Sequence, residues 1–377
     1  MSSIEARDIT VVRGGRTLLD GINLAVPDAE TLVLVGPPGA GKSLLMQVLV
    51  GLQDPTSGDV VIDDRVVTND APRKRDLSMV FEDYALHPSR DVYDNLEFAA
   101  TLRRGVDREA LATRVEDVAD LLGLVHDLEL RTADLDEQTR QRVAIGRAIV
   151  RDASAYLLDQ PFAAQSARVR PHVRSVVLQW QREHARTTIL TTSDVDEALA
   201  SADRVAVIHQ GFIHQVGTPR ELYEKPADMF VAGYLGAPPM NLIPGFPSGG
   251  GVETALGRME LSPAQRAAVG EREVVVIGVR PEHLGTAGSG FSFTGTVDDL
   301  EWRGRSQFVY VGYDIDPALE AVLTEVEELV DFDLFQSFVM AELPSDRTLE
   351  HGSAIRLGAE PQHVHLFDPV TGENLSA

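Results

Sequence analysis

The chain has 377 residues, 44% hydrophobic and 24% charged, a globular composition with material for two or three domains at roughly 150 residues each. It has no cysteine, which excludes disulfides, thiolate zinc sites, iron–sulfur clusters and a cysteine nucleophile. The net charge is −24, from 34 basic and 58 acidic residues. A nucleic-acid binder needs a basic footprint, so no nucleic-acid partner is expected. Acidity is densest after residue 235, where 8 basic residues stand against 22 acidic ones.

No apolar run approaches the roughly 20 residues that span a bilayer. Residues 1–12 contain acids and lack the apolar core of a secretory leader. The expected location is cytoplasmic, with any membrane association supplied by a partner.

Residues 4–35 read as strand-rich, and Val33–Val35 is an apolar run that stops at glycine, as a buried parallel strand does. A helix is predicted from Lys42 to about Leu52, a turn over Asp54–Asp59 and a strand over Val60–Ile62. Residues 91–124 carry apolar positions at helical spacing (Val115, Val118, Leu121, Leu122), and 139–151 form a further helix. Ala155–Asp159 reads as a buried strand ending in an acid. A helix over 168–185, a β-branched strand over Thr187–Thr192 and a strand over Val205–Ile208 follow. Strands alternating with helices indicate an α/β domain with a mainly parallel sheet.

At 236–251 the texture turns Gly/Pro-rich and reads as a linker. Beyond it, short alternating strands over Glu273–Val279, Phe291–Val297 and Phe308–Val311 predict a small, mostly-β domain. The expected division is 1–235, with a helical subdomain at about 88–152, and 236–377.

Gly36-Pro37-Pro38-Gly39-Ala40-Gly41-Lys42-Ser43 fits G-x-x-x-x-G-K-[ST], between an apolar strand and a helix. Glycines let the backbone curl until successive N–H groups converge on a phosphate, and the helix N-terminus adds its positive dipole end. Lys42 is placed to reach the β/γ-phosphates and the Ser43 hydroxyl to bind Mg²⁺. Asp159, at the end of an apolar strand, is the acid expected to hold that Mg²⁺.

With these motifs in place the chain resembles the ATP-binding subunits of ABC transporters, within them the maltose/oligosaccharide-importer type. Gly51-Leu-Gln-Asp-Pro-Thr-Ser-Gly58 is similar to the family segment after the first helix, and Met79-Val-Phe-Glu-Asp-Tyr-Ala-Leu-His-Pro88 to its Q-loop. Arg140–Arg151 resembles the helix after the family signature. Gly217–Tyr223 and Phe230–Gly233 resemble the end of the nucleotide domain, and Gly278–His283 and His363–Asp368 the C-terminal domain. The resemblance covers nearly the whole chain. It implies an α/β P-loop NTPase (ABC ATPase) domain with a helical subdomain, followed by a mostly-β, OB-fold-like regulatory domain. It also implies binding of ATP and Mg²⁺ and docking on two membrane permease subunits on the cytoplasmic side, with an external substrate-binding protein acting indirectly. The family groove for the permease lies beside the Q-loop, here Tyr84–Asn95, with Tyr84, Leu86 and Val92 as candidates.

Against that pattern the chain departs at the catalytic positions. The glutamate that activates water is Gln160, and a neutral amide cannot take a proton; general-base catalysis is worth about 10²–10⁴-fold. The switch histidine is Ser193. The Q-loop glutamine is Glu82, whose carboxylate can still bind Mg²⁺ with Ser43 and Asp159, though with different charge and affinity. The adenine-stacking aromatic is Arg13, whose guanidinium can also stack. Leu44 replaces the usual Ser/Thr after the loop, and the D-loop reads Ala163-Ala164-Gln165-Ser166. The LSGGQ signature reads Leu135-Asp136-Glu137-Gln138-Thr139, with two carboxylates where small residues let N–H groups approach a partner's ATP. An acid at a helix start is also a favourable cap.

These losses imply a degenerate, hydrolysis-impaired subunit that pairs with an intact paralogous ATPase. Two alternatives stand beside it. One is an active homodimer using Glu82 or Asp194 as base. The other is an ATP-binding regulatory scaffold on the permeases. His363 and His365 read as structural.

Overall fold

The computed structural model describes residues 2–101, 107–285, 290–346 and 348–376. The chain divides into two units, Met1–Pro219 and Arg220–Ala377.

In the first unit the elements run β1 (Ile4–Arg13), β2 (Arg16–Val26), β3 (Thr31–Val35), α1 (Lys42–Val50), β4 (Ser57–Ile62), β5 (Arg65–Val66), α2 (Pro72–Arg75) and β6 (Leu77–Val80). They continue with α3 (Val92–Thr101), α4 (Arg108–Leu121), α5 (Glu137–Val150), β7 (Ala155–Asp159), α6 (Arg170–Glu183), β8 (Thr187–Thr192), α7 (Val195–Ser201), β9 (Arg204–His209) and β10 (Phe212–Gly217). An antiparallel sheet of order β2-β1-β4-β5 accompanies a larger one of order β10-β9-β3-β8-β7-β6, parallel except for the β9/β10 pair.

Every residue of β3, β7 and β8 is buried, the signature of parallel strands covered on both faces. Pairing sets Val35 beside Thr192 and Asp159 beside Thr191. The carboxyl ends of β3, β8 and β7 therefore share one edge, where open α/β sheets place their ligand sites.

The helical expectation over 91–124 resolves into two helices, α3 and α4; residues 102–106 lie outside the described residues. Asp107 caps α4 by accepting from Glu109 N and Ala110 N. Gly146 of α5 sits where α3 and α4 close on it. A Cβ there would lie 2.7 Å from Leu96 Cδ2 and 3.1 Å from Leu122 Cδ1.

In the second unit, after α8 (Pro219–Glu224), come α9 (Met229–Tyr234), β11 (Asn241–Ser248), β12 (Gly251–Thr254), β13 (Gly257–Glu260), α10 (Pro263–Val269) and β14 (Val275–Val279). They are followed by β15 (Phe291–Thr296), β16 (Asp299–Trp302), β17 (Ser306–Gly312), α11 (Pro317–Val330), β18 (Phe338–Pro344), β19 (Ala354–Ala359) and β20 (Val364–Phe367). Sheets of order β13-β12-β11-β14-β20, β15-β19 and β16-β17-β18 enclose a core that includes Ile243, Ile277, Phe291, Val309 and Leu357.

The linker read at 236–251 is a correction: half of it is β11, the middle strand of the five-stranded sheet. Its first half pairs with β14 and its second half with β12. Each half has one unpaired side, so Pro244 and Pro247 fit without breaking a ladder. Residues 220–235 group with this second unit, earlier in the chain than the change in texture. Arg280 is wholly buried there. It donates to the carbonyls of Ala232, Leu235 and Tyr223, with its guanidinium 4.0 Å from the centroid of the Tyr223 ring. His283 stacks on His363 at 3.9 Å, and His365 meets Asn374, so these imidazoles belong to the packing of the unit.

Among the described residues no helix is long and apolar enough to cross a membrane.

Candidate functional site

The loop Gly36–Ser43 leaves β3 and enters α1 at the shared strand edge. Its glycines are required by contact and conformation. A Cβ on Gly36 would lie 2.0 Å from the Ile208 carbonyl oxygen, while Gly39 and Gly41 have φ of +82° and +107°. Lys42 is buried, and its Nζ donates to Gly36 O (2.6 Å) and Pro37 O (2.9 Å). Burial lowers its pKa, opposed by the charges of Asp159 and Glu82.

Ser43 Oγ donates to Asp159 Oδ1 at 3.1 Å, and Thr191 Oγ1 donates to the same oxygen at 2.6 Å. The structure thus brings together Lys42, Ser43 and Asp159. It adds Thr191, a β8 residue the motif reading did not single out. A hydroxyl beside a buried carboxylate, facing a phosphate loop, fits Mg²⁺, which takes one or two protein ligands and fills its shell with phosphate and water.

Gln160 follows with φ of +48°. Its N–H donates to Thr191 Oγ1 (3.0 Å), and its Nε2 donates to Glu82 Oε1 (3.0 Å). Glu82 is therefore a neighbour of Gln160 at the edge of the site. Ser193 lies beyond β8, just before Asp194. The Asp194 carboxylate caps α7 through Glu197 N (3.0 Å) and pairs with Arg170 (3.2 Å). Glu197 is buried, and that burial, with the Asp194 charge, raises its pKa to about 7. Arg13 is exposed at the end of β1 and donates to Gln53. Leu44 packs against the core of the unit.

The segment Leu135–Thr139 makes the start of α5. Asp136 is its N-cap, accepting from Thr139 N at 2.7 Å, and that N–H holds its pKa down. Glu137 Oε1 accepts from Tyr84 OH (3.2 Å); burial and this carboxylate push the tyrosine up to about 12. Gln138 accepts from Gln165 Nε2 through its carbonyl (2.8 Å) and from Ser166 N through its side chain (3.3 Å). Gln165 also donates to Gln141 Oε1, and Gln141 donates to the Gln160 carbonyl. Four glutamines thereby join the positions of the base, the D-loop and the signature within one chain. Gln141 was not legible as a site residue, and Gln165 was read only as a D-loop position, without its bonds. The available signal was a polar residue, Gln141, in register with the apolar positions Ala144, Ile145 and Ala148 of an amphipathic helix.

Of the candidates for the groove beside Glu82, Val92 is wholly buried and belongs to the core, and Asn95 is buried, hydrogen-bonded to backbone groups of His87 and Asp91. Tyr84 and Leu86 are half-buried. A cavity of about 340 Å³ opens here, lined by Leu52, Met79, Phe81, Ala85 and Phe98 among others. Arg147 of α5 holds the segment by donating to Ala85 O (2.6 Å) and Tyr84 O (2.7 Å).

Comparison with known proteins agrees with this geometry. The family model described as ABC transporter matches residues 19–163, the MalK OB fold domain 236–284 and the TOBE domain 277–333. The trehalose import ATP-binding protein SugC of Mycobacterium tuberculosis is 34% identical over 96% of this chain and 95% of its own length. The sn-glycerol-3-phosphate import ATP-binding protein UgpC of Jannaschia sp. is 37% identical over 97% and 99%. The trehalose/maltose import ATP-binding protein MalK of Thermococcus litoralis is 34% identical over 99% of each. Among solved structures, the dimeric bacterial ABC transporter cassette MJ0796 superposes with a TM-score of 0.54 at 22% identity, covering 58% of this chain and 99% of that one, a likeness of fold. An ABC ATPase fold with OB and TOBE domains after it, and relatives matched over almost their whole length, establish that this chain belongs to the family of ABC transporter ATP-binding subunits.

Proposed function

We propose that this chain is the ATP-binding subunit of an ABC importer for carbohydrate-like solutes, and that its own nucleotide site is impaired in hydrolysis. Residues 1–235, with the helical subdomain at about 88–152, carry the nucleotide role, and 236–377 a regulatory one. The relatives named for trehalose, maltose and sn-glycerol-3-phosphate import support the solute class. The observation that carries the rest is the contrast inside one site. Lys42, Ser43 and Asp159 are in place, while the position beside Asp159 holds an amide.

The N–H groups of Gly39–Ser43 and the Lys42 ammonium receive the phosphates of ATP. Ser43 and Asp159 would hold Mg²⁺, which would supply neutralisation of the phosphate charge. Gln160 can orient water but cannot accept its proton. In a pair with an intact paralogue, turnover then belongs to the site carrying the partner's glutamate. The assembly docks on two permeases at the cytoplasmic face through the cavity beside Tyr84–Ala85, and an external binding protein delivers the solute.

The test is uptake by the assembled importer. Removing the partner's catalytic glutamate abolishes uptake, and Gln160→Glu leaves it nearly unchanged. A requirement for Gln160→Glu before any uptake appears would overturn the assignment.

One observation favours a second reading, an active homodimer. Glu82 accepts from Gln160 at 3.0 Å, so a carboxylate and an amide are both present with their places exchanged. Asp194 is the weaker alternative because it is engaged with Glu197 N and Arg170. Steady phosphate release by the purified chain, lost in Glu82→Gln, decides for this reading.

A further inference from the structure

A cavity of about 670 Å³ lies between α4, the C-terminal end of α5 and α6, and none of its lining residues belongs to the nucleotide site. Its volume is that of a small-molecule pocket rather than a packing defect. Trp180 lines it. Tyr156 meets the indole edge-on at 5.4 Å and His184 stacks on it at 4.7 Å, so the ring is held in one orientation.

The same cavity is lined by a charge-balanced set. Asp152 accepts from Arg186 at 2.5 Å and pairs with Arg114 at 3.6 Å. Arg114 spends one further contact on the Val150 carbonyl. Asp117, exposed on α4, has no hydrogen bond or ion pair among the described residues and is an open acceptor at the rim.

Two guanidiniums against two carboxylates leave no net field for a phosphate or a nucleotide, and either would bring its charge up against Asp117 and Asp152. An apolar ligand would strand the ionised planar groups. An aromatic wall in one cavity with paired donors and acceptors suits a ligand with apolar C–H faces and hydroxyls at its edges. A hydroxyl donates to a carboxylate and accepts from a guanidinium at once.

We propose that this cavity is a binding site for a neutral oligosaccharide, with the face of Trp180 that His184 leaves uncovered as the stacking wall and Asp117, Arg114 and Asp152 as hydroxyl partners. The site would make the nucleotide-binding unit itself responsive to sugar, whatever solute the importer carries.

The chain has two tryptophans, and Trp302 is strongly exposed. Trp302→Phe therefore leaves Trp180 as the single fluorescent reporter in the full-length protein. Trehalose, maltose and raffinose are titrated to about 50 mM, the range of weak, millimolar sugar binding. Glucose 6-phosphate is the charged control, and calorimetry a second readout. At least one neutral sugar is expected to give a saturable change. Asp117→Ala should weaken it ~10-fold, and Thr113→Phe, which fills the rim, should remove it. Both positions are exposed, and unchanged melting curves certify folding. No saturable signal by either method, tighter binding of the phosphorylated sugar, or unaltered binding in both variants overturns the proposal. A fluorescent ATP analogue titrated into the same samples reads the nucleotide site separately, so a missing sugar site and a missing ATP site give different results.

Discussion

Gln160 Nε2 donates to Glu82 Oε1 at 3.0 Å, so the amide at the end of β7 and the acid after β6 form a single hydrogen-bonded pair. Gln160→Glu alone sets two carboxylates against each other. It is expected to give no gain in phosphate release by the purified chain, because like charge at this distance keeps one of them protonated. Pairing it with Glu82→Gln restores donor and acceptor with the base on the other side. The double variant is expected to exceed Gln160→Glu by ~10-fold or more in phosphate release.

Asp136 caps α5 through Thr139 N. Asp136→Ala is expected to cost about 0.5–2 kcal/mol in urea unfolding. Asp136→Ser retains a capping oxygen and is expected to recover most of that loss. The serine variant also removes one carboxylate from the segment that the proposed pairing would set against a partner's ATP. Any gain in ATP-dependent dimerisation should therefore appear in Asp136→Ser without a loss of stability.

Glu197 is buried with its pKa raised to about 7, chiefly by burial and then by the Asp194 charge. The folded state holds this proton more tightly than the unfolded chain. Its contribution is therefore fully present below the unfolded value, near the ordinary 4.5, and is lost as pH rises through about 7. Stability is expected to fall between pH 5 and pH 8 by up to a few kcal/mol. Glu197→Gln should flatten that slope and be the more stable form at pH 8, as read by denaturant midpoints across the range.

Gly36 has no room for a methyl group, with the Ile208 carbonyl 2.0 Å from where a Cβ would sit. Gly36→Ala must push the loop off β9. A cost of about 1–3 kcal/mol or more is expected, visible as a melting point lower by several degrees. ATP-analogue binding should weaken in parallel, because the displaced loop carries the phosphate-facing N–H groups.

The phosphate loop was legible because its chemistry is local. Eight consecutive residues between an apolar strand and a helix define it, and Asp159 announces itself by ending another apolar run. What joins those parts was not. Thr191, Gln141 and Gln165 act through partners distant in sequence, and a glutamine in a helix looks like a surface residue until the helix is placed. Gly and Pro content hid β11, whose prolines are tolerated only because each half of the strand has one unpaired side. The helix α11 was missed inside a region read from its strands, and Val92 looked available at a groove although it is a core residue. The acids at 136 and 137 were readable as departures from the family signature. Their local work, a cap and a tyrosine partner, needed coordinates.

The helix α5 has 14 residues, a rod of about 21 Å at 1.5 Å per residue. Its first turn carries Asp136–Thr139, and near its far end Arg147 grips the carbonyls of Tyr84 and Ala85. Gly146 leaves α3 and α4 less than one methyl of clearance against it, so the rod has little freedom to slide or roll within its own layer. Tyr84 also donates to Glu137 in the first turn, so the segment Tyr84–Ala85 is tied to the rod near both of its ends. One glycine thus fixes the seat of a helix that fastens the same short segment twice.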